Sequence, residues 1–296
     1  MKKKLARRRF LVLTLAVGTT SAIDAMALSN ARTSADADLA ALESSTSGRL
    51  GVCAVDTSSG ATIAYRADER FPLCSTFKPI LCGAILARSA SEPGLLQTRV
   101  RLKREEVVAY SPITSRHLDD GMTIEELCEA AMQYSDNTAA NALLRAVGGP
   151  NAVTAFARSI GDQAFRLDRW ETELNTAVVG DPRDTTTPAG MTDSLRRLIA
   201  GQVLAPSSRA RMLGWMLGNT TGARRIRAGV PDRWRVGDKT GTGDHGTAND
   251  IGVMWPPDRA PIFLSVYFTM GVADAKVDEA VLAHAARIVA GALVRR

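Results

Sequence analysis

Cys74-Ser75-Thr76-Phe77-Lys78 is where this chain stops reading as strand and begins to read as helix. Before it, Leu50–Val55 and Thr62–Tyr65 are short β-type runs around Asp56-Thr57-Ser58-Ser59-Gly60, the pattern of a hairpin. After it the pattern is helical to about Trp215. Ile80, Leu81, Ala84 and Ile85 mark one face of the first helix. Pro79 is tolerated there because N–H groups in a first turn have no helical partner.

Working outward, Thr123-Ile124-Glu125-Glu126 is a capping box that opens a helix towards Gln133. Asn137 to Val147 makes another, stopped by Gly148-Gly149-Pro150, and 151–160 and 187–203 are further helices. Strands return at Trp234–Thr240, Asn249–Trp255 and Ile262–Thr269. Helices at 37–48 and around Val281, Leu282, Ala285, Ile288 and Val289 bracket the whole. The expected fold is α+β: an antiparallel sheet built from both chain ends and covered by terminal helices, beside an inserted all-α subdomain. The sheet part takes about 28–72 and 216–296, and the all-α part about 73–215. A cleft between the two is the natural place for a site.

The 296 residues, 45% hydrophobic and 23% charged, have neither the bias nor the period of a disordered, collagenous or coiled-coil chain. The net charge of +6 is concentrated at the start: residues 1–27 carry +5 and leave the remainder at +1. A near-neutral body has no electrostatic footprint for nucleic acid. The first 27 residues read instead as an export signal, with a basic start, an apolar run from Phe10 to Val17 and an Ala25-Met26-Ala27 cleavage site. Arg7-Arg8-Arg9-Phe10-Leu11 is similar to a twin-arginine signal, with Ala6 where Ser or Thr is usual. The alternative is a membrane anchor, against which the run is well short of the ~20 residues that span a bilayer. The expectation is a soluble, periplasmic monomer with no stable membrane insertion. In that oxidising compartment Cys82 and Cys128, both in helical patterns, are candidates to staple two helices; four buried free thiols at Cys53, Cys74, Cys82 and Cys128 are the alternative.

Three histidines, His117, His245 and His284, show no ligand spacing, so no metal is expected. Ser75 and Lys78, three apart at a helix start, set a hydroxyl beside an amine that activates it. Alone, the pair reads more simply as a capping serine and a solvated lysine. Ser135-Asp136-Asn137 offers a proton-relaying hydroxyl and an amide for a substrate carbonyl, or simply a helix cap. Lys239-Thr240-Gly241-Thr242-Gly243 offers a cation and hydroxyls for a carboxylate, or a glycine-rich strand end.

In that order the three motifs are the set of class A β-lactamases and penicillin-binding proteins. The chain resembles a class A serine β-lactamase over essentially all of its mature length. Trp170-Glu171-Thr172-Glu173-Leu174-Asn175 resembles the family's E-x-x-L-N motif on an Ω-loop, with Glu171 rather than Glu173 at the right offset from Asn175. The resemblance implies an Arg169–Asp184 ion pair closing that loop, an aromatic at the cleft mouth in Tyr110, and a Cys82–Cys128 disulfide as in some members. It also implies a carboxylate-binding arginine, Arg225, whose neighbour Arg224 competes for the assignment. Two departures stand out. Thr172 replaces a proline that often follows a cis bond, and Gly243 replaces the cysteine that pairs with the one beside the nucleophile in family carbapenemases.

The activity implied is hydrolysis of the β-lactam amide through an acyl-serine, without metal or organic cofactor. Ser75 is the nucleophile. Lys78, or Glu171 through a water, is the acylation base, and Ser135 with Lys239 relays a proton to the leaving nitrogen. The backbone N–H groups of Ser75 and Thr242 form the oxyanion hole. Asn137, Asn175, Thr240, Gly241, Thr242, Arg225 and Tyr110 bind substrate, and Glu171 activates the deacylating water. Tyr110, Trp170, Thr242 and Asp244 shape the cleft and with it the choice of substrate. The rival readings are a D-Ala-D-Ala carboxypeptidase or other penicillin-binding protein, and a penicillin-sensing module that acylates and stops.

Overall fold

The computed structural model describes residues 33–294, so the expected export signal lies outside the described residues. Helix α1 (33–44) leads into β1 (Arg49–Asp56) and β2 (Thr62–Tyr65). These pair antiparallel from Val52↔Tyr65 to Val55↔Thr62, the hairpin read from the sequence. The sheet is completed by β7 (Arg235–Gly243), β8 (Thr247–Trp255) and β9 (Ile262–Thr269), in the order β2-β1-β9-β8-β7. Chain start and chain end thus meet at the β1–β9 pair, which runs from Arg49↔Thr269 to Asp56↔Ile262.

Side chains alternate strictly along β9. Ile262, Leu264, Val266 and Phe268 enter a core with α1 and the closing helix α9 (Glu279–Val294), while Phe263 and Tyr267 enter a second core with the intervening helices. Both faces of the sheet are therefore dry, which explains why these strands read as nearly unbroken apolar runs.

The helices of that second core are α2 (Lys78–Arg88), α3 (Ile124–Gln133), α4 (Asn137–Val147), α5 (Pro150–Ser159), α6 (Pro188–Ile199) and α7 (Pro206–Leu217), with the single-turn α8 (Ile226–Gly229) after them. Two short pairs brace the loops: β3 (Phe71–Pro72) with β6 (Thr185–Thr186), and β4 (Arg99–Val100) with β5 (Met122–Thr123). The capping box at α3 is formed on both sides, Glu126 N–H to Thr123 Oγ1 at 3.2 Å and Thr123 N–H to Glu126 Oε2 at 2.7 Å. The helix expected over 187–203 stops at Ile199, where the Ala200 and Gly201 N–H groups both close back on Arg196 O, and the next helix begins at Pro206. The helix expected from Ser75 begins as a 3-10 turn, Cys74–Phe77, and becomes α only at Lys78.

Candidate active site

The chain turns from β3 into the 3-10 segment through Cys74, whose φ of +44° is unusual for a residue with a side chain. That sharp turn delivers Ser75 to the floor of a 530 Å³ cavity between sheet and helices. Ser75, Tyr110, Ser135, Asn137, Asn175, Arg225, Thr240 and Thr242 all line it. Lys78, Glu171 and Lys239 are buried directly behind.

Lys78 has no exposure, and its ammonium donates to Ser135 O at 2.8 Å and Asn137 Oδ1 at 2.8 Å while standing 3.1 Å from Glu171 Oε1. Burial pulls its pKa below the ordinary lysine value, and the Glu171 charge opposes that pull. Ser75 Oγ donates to the same Glu171 oxygen at 3.4 Å, and Asn175 Nδ2 donates to the other, Oε2, at 2.6 Å. Glu173, the rival glutamate, is exposed.

The loop carrying Glu171 is clamped at its ends. Arg169 Nε donates to Asp184 Oδ2 at 2.5 Å, and Asp184 Oδ1 also accepts the Asp168 and Arg169 N–H groups at 2.7 and 2.9 Å. The Glu171–Thr172 peptide is cis. Asn141, one helical turn after Asn137, holds the Glu171 backbone from both sides: its Nδ2 donates to Glu171 O at 2.8 Å and its Oδ1 accepts Glu171 N–H at 3.0 Å.

On the opposite wall Lys239 Nζ donates to Ser135 Oγ at 3.0 Å and to Thr240 O at 2.8 Å. Burial, then the neighbouring Lys78 charge, holds its pKa well below the usual lysine range. Asp136 between the two motif polar groups is fully buried. It caps α4 through Ala139 N–H at 2.8 Å and accepts Ile113 N–H, Thr114 N–H and Thr114 Oγ1. Asn137 Nδ2 gives one hydrogen to Ala109 O at 3.0 Å, leaving the other for a ligand.

The ambiguity between neighbouring arginines disappears in three dimensions. Arg224 is 83% exposed, whereas Arg225 is buried and donates to Gly241 O, Asn249 O and Thr242 Oγ1, each at 2.7 Å. Gly241 has to be glycine: a Cβ there would lie 2.9 Å from Leu73 O and 3.2 Å from Cys74 Cβ. Tyr110, 61% exposed, forms the cavity's outer lip.

A family model described as "Beta-lactamase enzyme family" matches residues 34–293. The chain belongs to the class A serine β-lactamases. It is 56% identical to a carbapenem-hydrolyzing beta-lactamase, KPC, of Klebsiella oxytoca over 84% of this chain and 85% of that one. It is 53% identical to beta-lactamase CTX-M-8 of Citrobacter amalonaticus over 85% and 86%. The solved beta-lactamase of Desulfarculus baarsii DSM 2075 superposes with a TM-score of 0.88 at 54% identity, covering 90% of this chain and 99% of that one. This β-lactamase accordingly hydrolyses β-lactams, an activity that confers resistance.

Sequence reading missed four residues that organise this β-lactamase site. Asn141 shares the inner face of α4 with Asn137, so i, i+4 spacing was the available signal. Glu279 bonds Arg225 Nε at 2.9 Å, and Thr221 Oγ1 lies 2.5 Å from Thr240 Oγ1. Asp136 looked like a cap and is also the anchor of the 113–114 loop. Only chain folding brings the other two to the cleft. Cys82 and Cys128 lie on facing helices, and all four cysteines are buried and free in this structure, the second of the two arrangements the sequence left open. No group of three or more metal-ligating side chains occurs among the described residues.

Proposed function

We propose that the site works by two-step acyl transfer, with each residue in the role its contacts support. The observation that carries this is Glu171, which meets Ser75 Oγ and Lys78 Nζ through one oxygen and Asn175 through the other. Of the two acylation bases the resemblance leaves open, the hydrogen bonds favour Glu171. The Lys78 ammonium directs its protons at Ser135 O, Asn137 Oδ1 and Glu171, so it has no lone pair for the Ser75 proton. Ser75 then attacks the lactam carbonyl, whose developing oxyanion is held by the N–H groups of Ser75 and Thr242; one such donor contributes about 3–4 kcal/mol to lowering a barrier of this kind.

Ser135 protonates the departing nitrogen and is reprotonated along its bond to Lys239, and the proton that Glu171 took from Ser75 passes on through Lys78 and Ser135 to restore Lys239, leaving Glu171 a carboxylate for the second step. The substrate carboxylate lies against Lys239, Thr240, Thr242 and Arg225, and the acylamide carbonyl takes the remaining Asn137 hydrogen. Glu171 next deprotonates a water that Asn175 Oδ1, without a donor among the described residues, is placed to orient. Penicillins and cephalosporins are the proposed substrates. A relative is named as carbapenem-hydrolyzing, but Cys74 here faces Gly243, so the disulfide expected of family carbapenemases cannot form.

The working protein is proposed to be a monomer of residues 28–296, exported by the leader at 1–27 to the periplasm, with the twin-arginine route as the reading of Arg7-Arg8-Arg9. Cys82 and Cys128 oxidise there to a disulfide. Among the described residues no helix is long and apolar enough to cross a membrane.

The test is benzylpenicillin turnover by wild type beside Glu171→Ala, with mass spectrometry of the intact protein. Turnover in wild type and a persistent Ser75 adduct in the variant are expected. A persistent adduct in wild type would instead leave the sensor or peptidase reading.

A further inference from the structure

Four residues stand in a transverse row across the sheet. Gly51 on β1 opposes Tyr267 on β9, Tyr267 opposes Asn249 on β8, and Asn249 opposes Gly241 on β7. All four face the segment 71–76 that carries the nucleophile. A Cβ on Gly51 would run into the Phe71 ring, and one on Gly241 would crowd Leu73 O. The two glycines therefore admit the segment at close range, and the two large residues between them hold it. Asn249 Nδ2 donates to Pro72 O at 2.8 Å and to Leu73 O at 3.2 Å. Tyr267, fully buried, places its hydroxyl 3.0 Å from Thr76 Oγ1.

The direction of that last bond follows from proton counting. Thr76 Oγ1 sits 2.6 Å from Leu73 O, a carbonyl that can only accept, so the single threonine hydroxyl proton points there. Tyr267 must then donate to Thr76. The result is a chain of donors, Tyr267 to Thr76 to Leu73 O, closed from the other side by Asn249. It spans Cys74, the residue within the 71–76 segment that is wound through a positive φ. Hydrophobic packing alone does not select the rotation of a 3-10 turn; a fixed hydrogen bond to a rigid central strand does.

We propose that Tyr267 is a positioning residue for the nucleophile: through Thr76 it sets the orientation of the 74–77 turn, and hence of Ser75 Oγ and N–H. It touches no substrate. A hydroxyl serving only the stability of the strand would affect melting and leave the chemistry of folded molecules alone, so the two roles separate experimentally.

The inference rests on the acyl-serine reading above; wild-type turnover tests that reading, and the ratio of variant to wild type tests this one. Tyr267→Phe keeps the ring and removes the donor. At a temperature where each variant is fully folded, its kcat/KM for benzylpenicillin should fall about tenfold, and the inhibition constant of phenylboronic acid, which needs both Ser75 Oγ and the oxyanion donors, should rise by a similar factor. Thr76→Val cuts the chain at its middle and should behave alike, with the double variant no worse than either single one. Thr76→Ser, which keeps the hydroxyl, should stay within about twofold of wild type. Phe268→Leu, one residue along on the other sheet face, is the control for strand stability and should lower the melting temperature alone. The proposal is overturned if Tyr267→Phe and Thr76→Val lower the melting temperature yet keep both constants within about twofold of wild type.

Discussion

Lys78 Nζ stands 3.1 Å from Glu171 Oε1, and neither side chain has any solvent exposure. The helix that follows the nucleophile and the loop that carries the water-activating group are thereby joined in one buried ion pair. The Glu171 charge opposes the desolvation that lowers the Lys78 pKa, and the Ser75 hydroxyl is bonded to the same carboxylate oxygen.

That coupling has a measurable sign. The Glu171 charge is what opposes the desolvation of Lys78, whose pKa is already lowered. Glu171→Gln should move the Lys78 titration to lower pH than in wild type, followed by NMR of isotope-labelled lysine Cε. An unchanged or higher value would show that the carboxylate does not govern this amine.

Asn175 grips Glu171 Oε2 at 2.6 Å and also lines the cavity. Asn175→Ala should slow deacylation about a hundredfold, the lower range for a misplaced general base, while acylation changes much less. Rapid-quench mass spectrometry should then find acyl-enzyme accumulating at steady state, unlike in wild type.

Arg169 and Asp184 form an unequal pair: the carboxylate side chain is 1% exposed and the guanidinium 17%. Removing the arginine strands a buried charge, so Arg169→Ala should destabilise the fold by about 3–5 kcal/mol in urea titrations. Arg169→Ala/Asp184→Ala should cost less than the sum of the single changes. Strict additivity would mean that the clamp does not act as a unit.

Protein recovered from an oxidising compartment should show two titratable thiols after denaturation, those of Cys53 and Cys74. Closing the loop between Cys82 and Cys128 constrains the unfolded chain by about 4 kcal/mol, so added dithiothreitol should lower the urea midpoint. Four thiols would leave the structure's free cysteines as the working state.

Asp250 is wholly buried, and its carboxyl is pushed well above the ordinary value of 3.8, first by desolvation and then by the Asp238 charge. Between 3.8 and the folded value the native state keeps a proton that the unfolded chain releases, so this group's contribution to stability falls as pH rises. Asp250→Asn should flatten that decline in melting temperature measured across acidic to neutral pH.

Legibility from sequence followed the range of the interactions. The hairpin at 49–65, the capping box at Thr123 and the Ile262–Thr269 strand depend on neighbours in the chain, and the structure has them where local pattern puts them. The helix read over 187–203 ends at Ile199 and a second one starts at Pro206, a residue suited to a first turn. Glu279, Thr221 and Tyr267 carry no local mark at all. Each reads as an ordinary acid, hydroxyl or core aromatic until the strands pair.

By itself the amino-acid sequence determined the α+β order of elements, the three motifs and the glutamate loop, because spacing along a helix, turn or strand is a local property of the backbone. Only the tertiary structure decided which arginine enters the cleft, that Glu171 and Lys78 share a buried bond, and that Tyr267 and Asn249 grip the nucleophile's turn. Those relations depend on strand register and on the docking of helices against a sheet made from both chain ends. Burial against distant residues then sets their charges and hydrogen bonds, which no window of sequence contains.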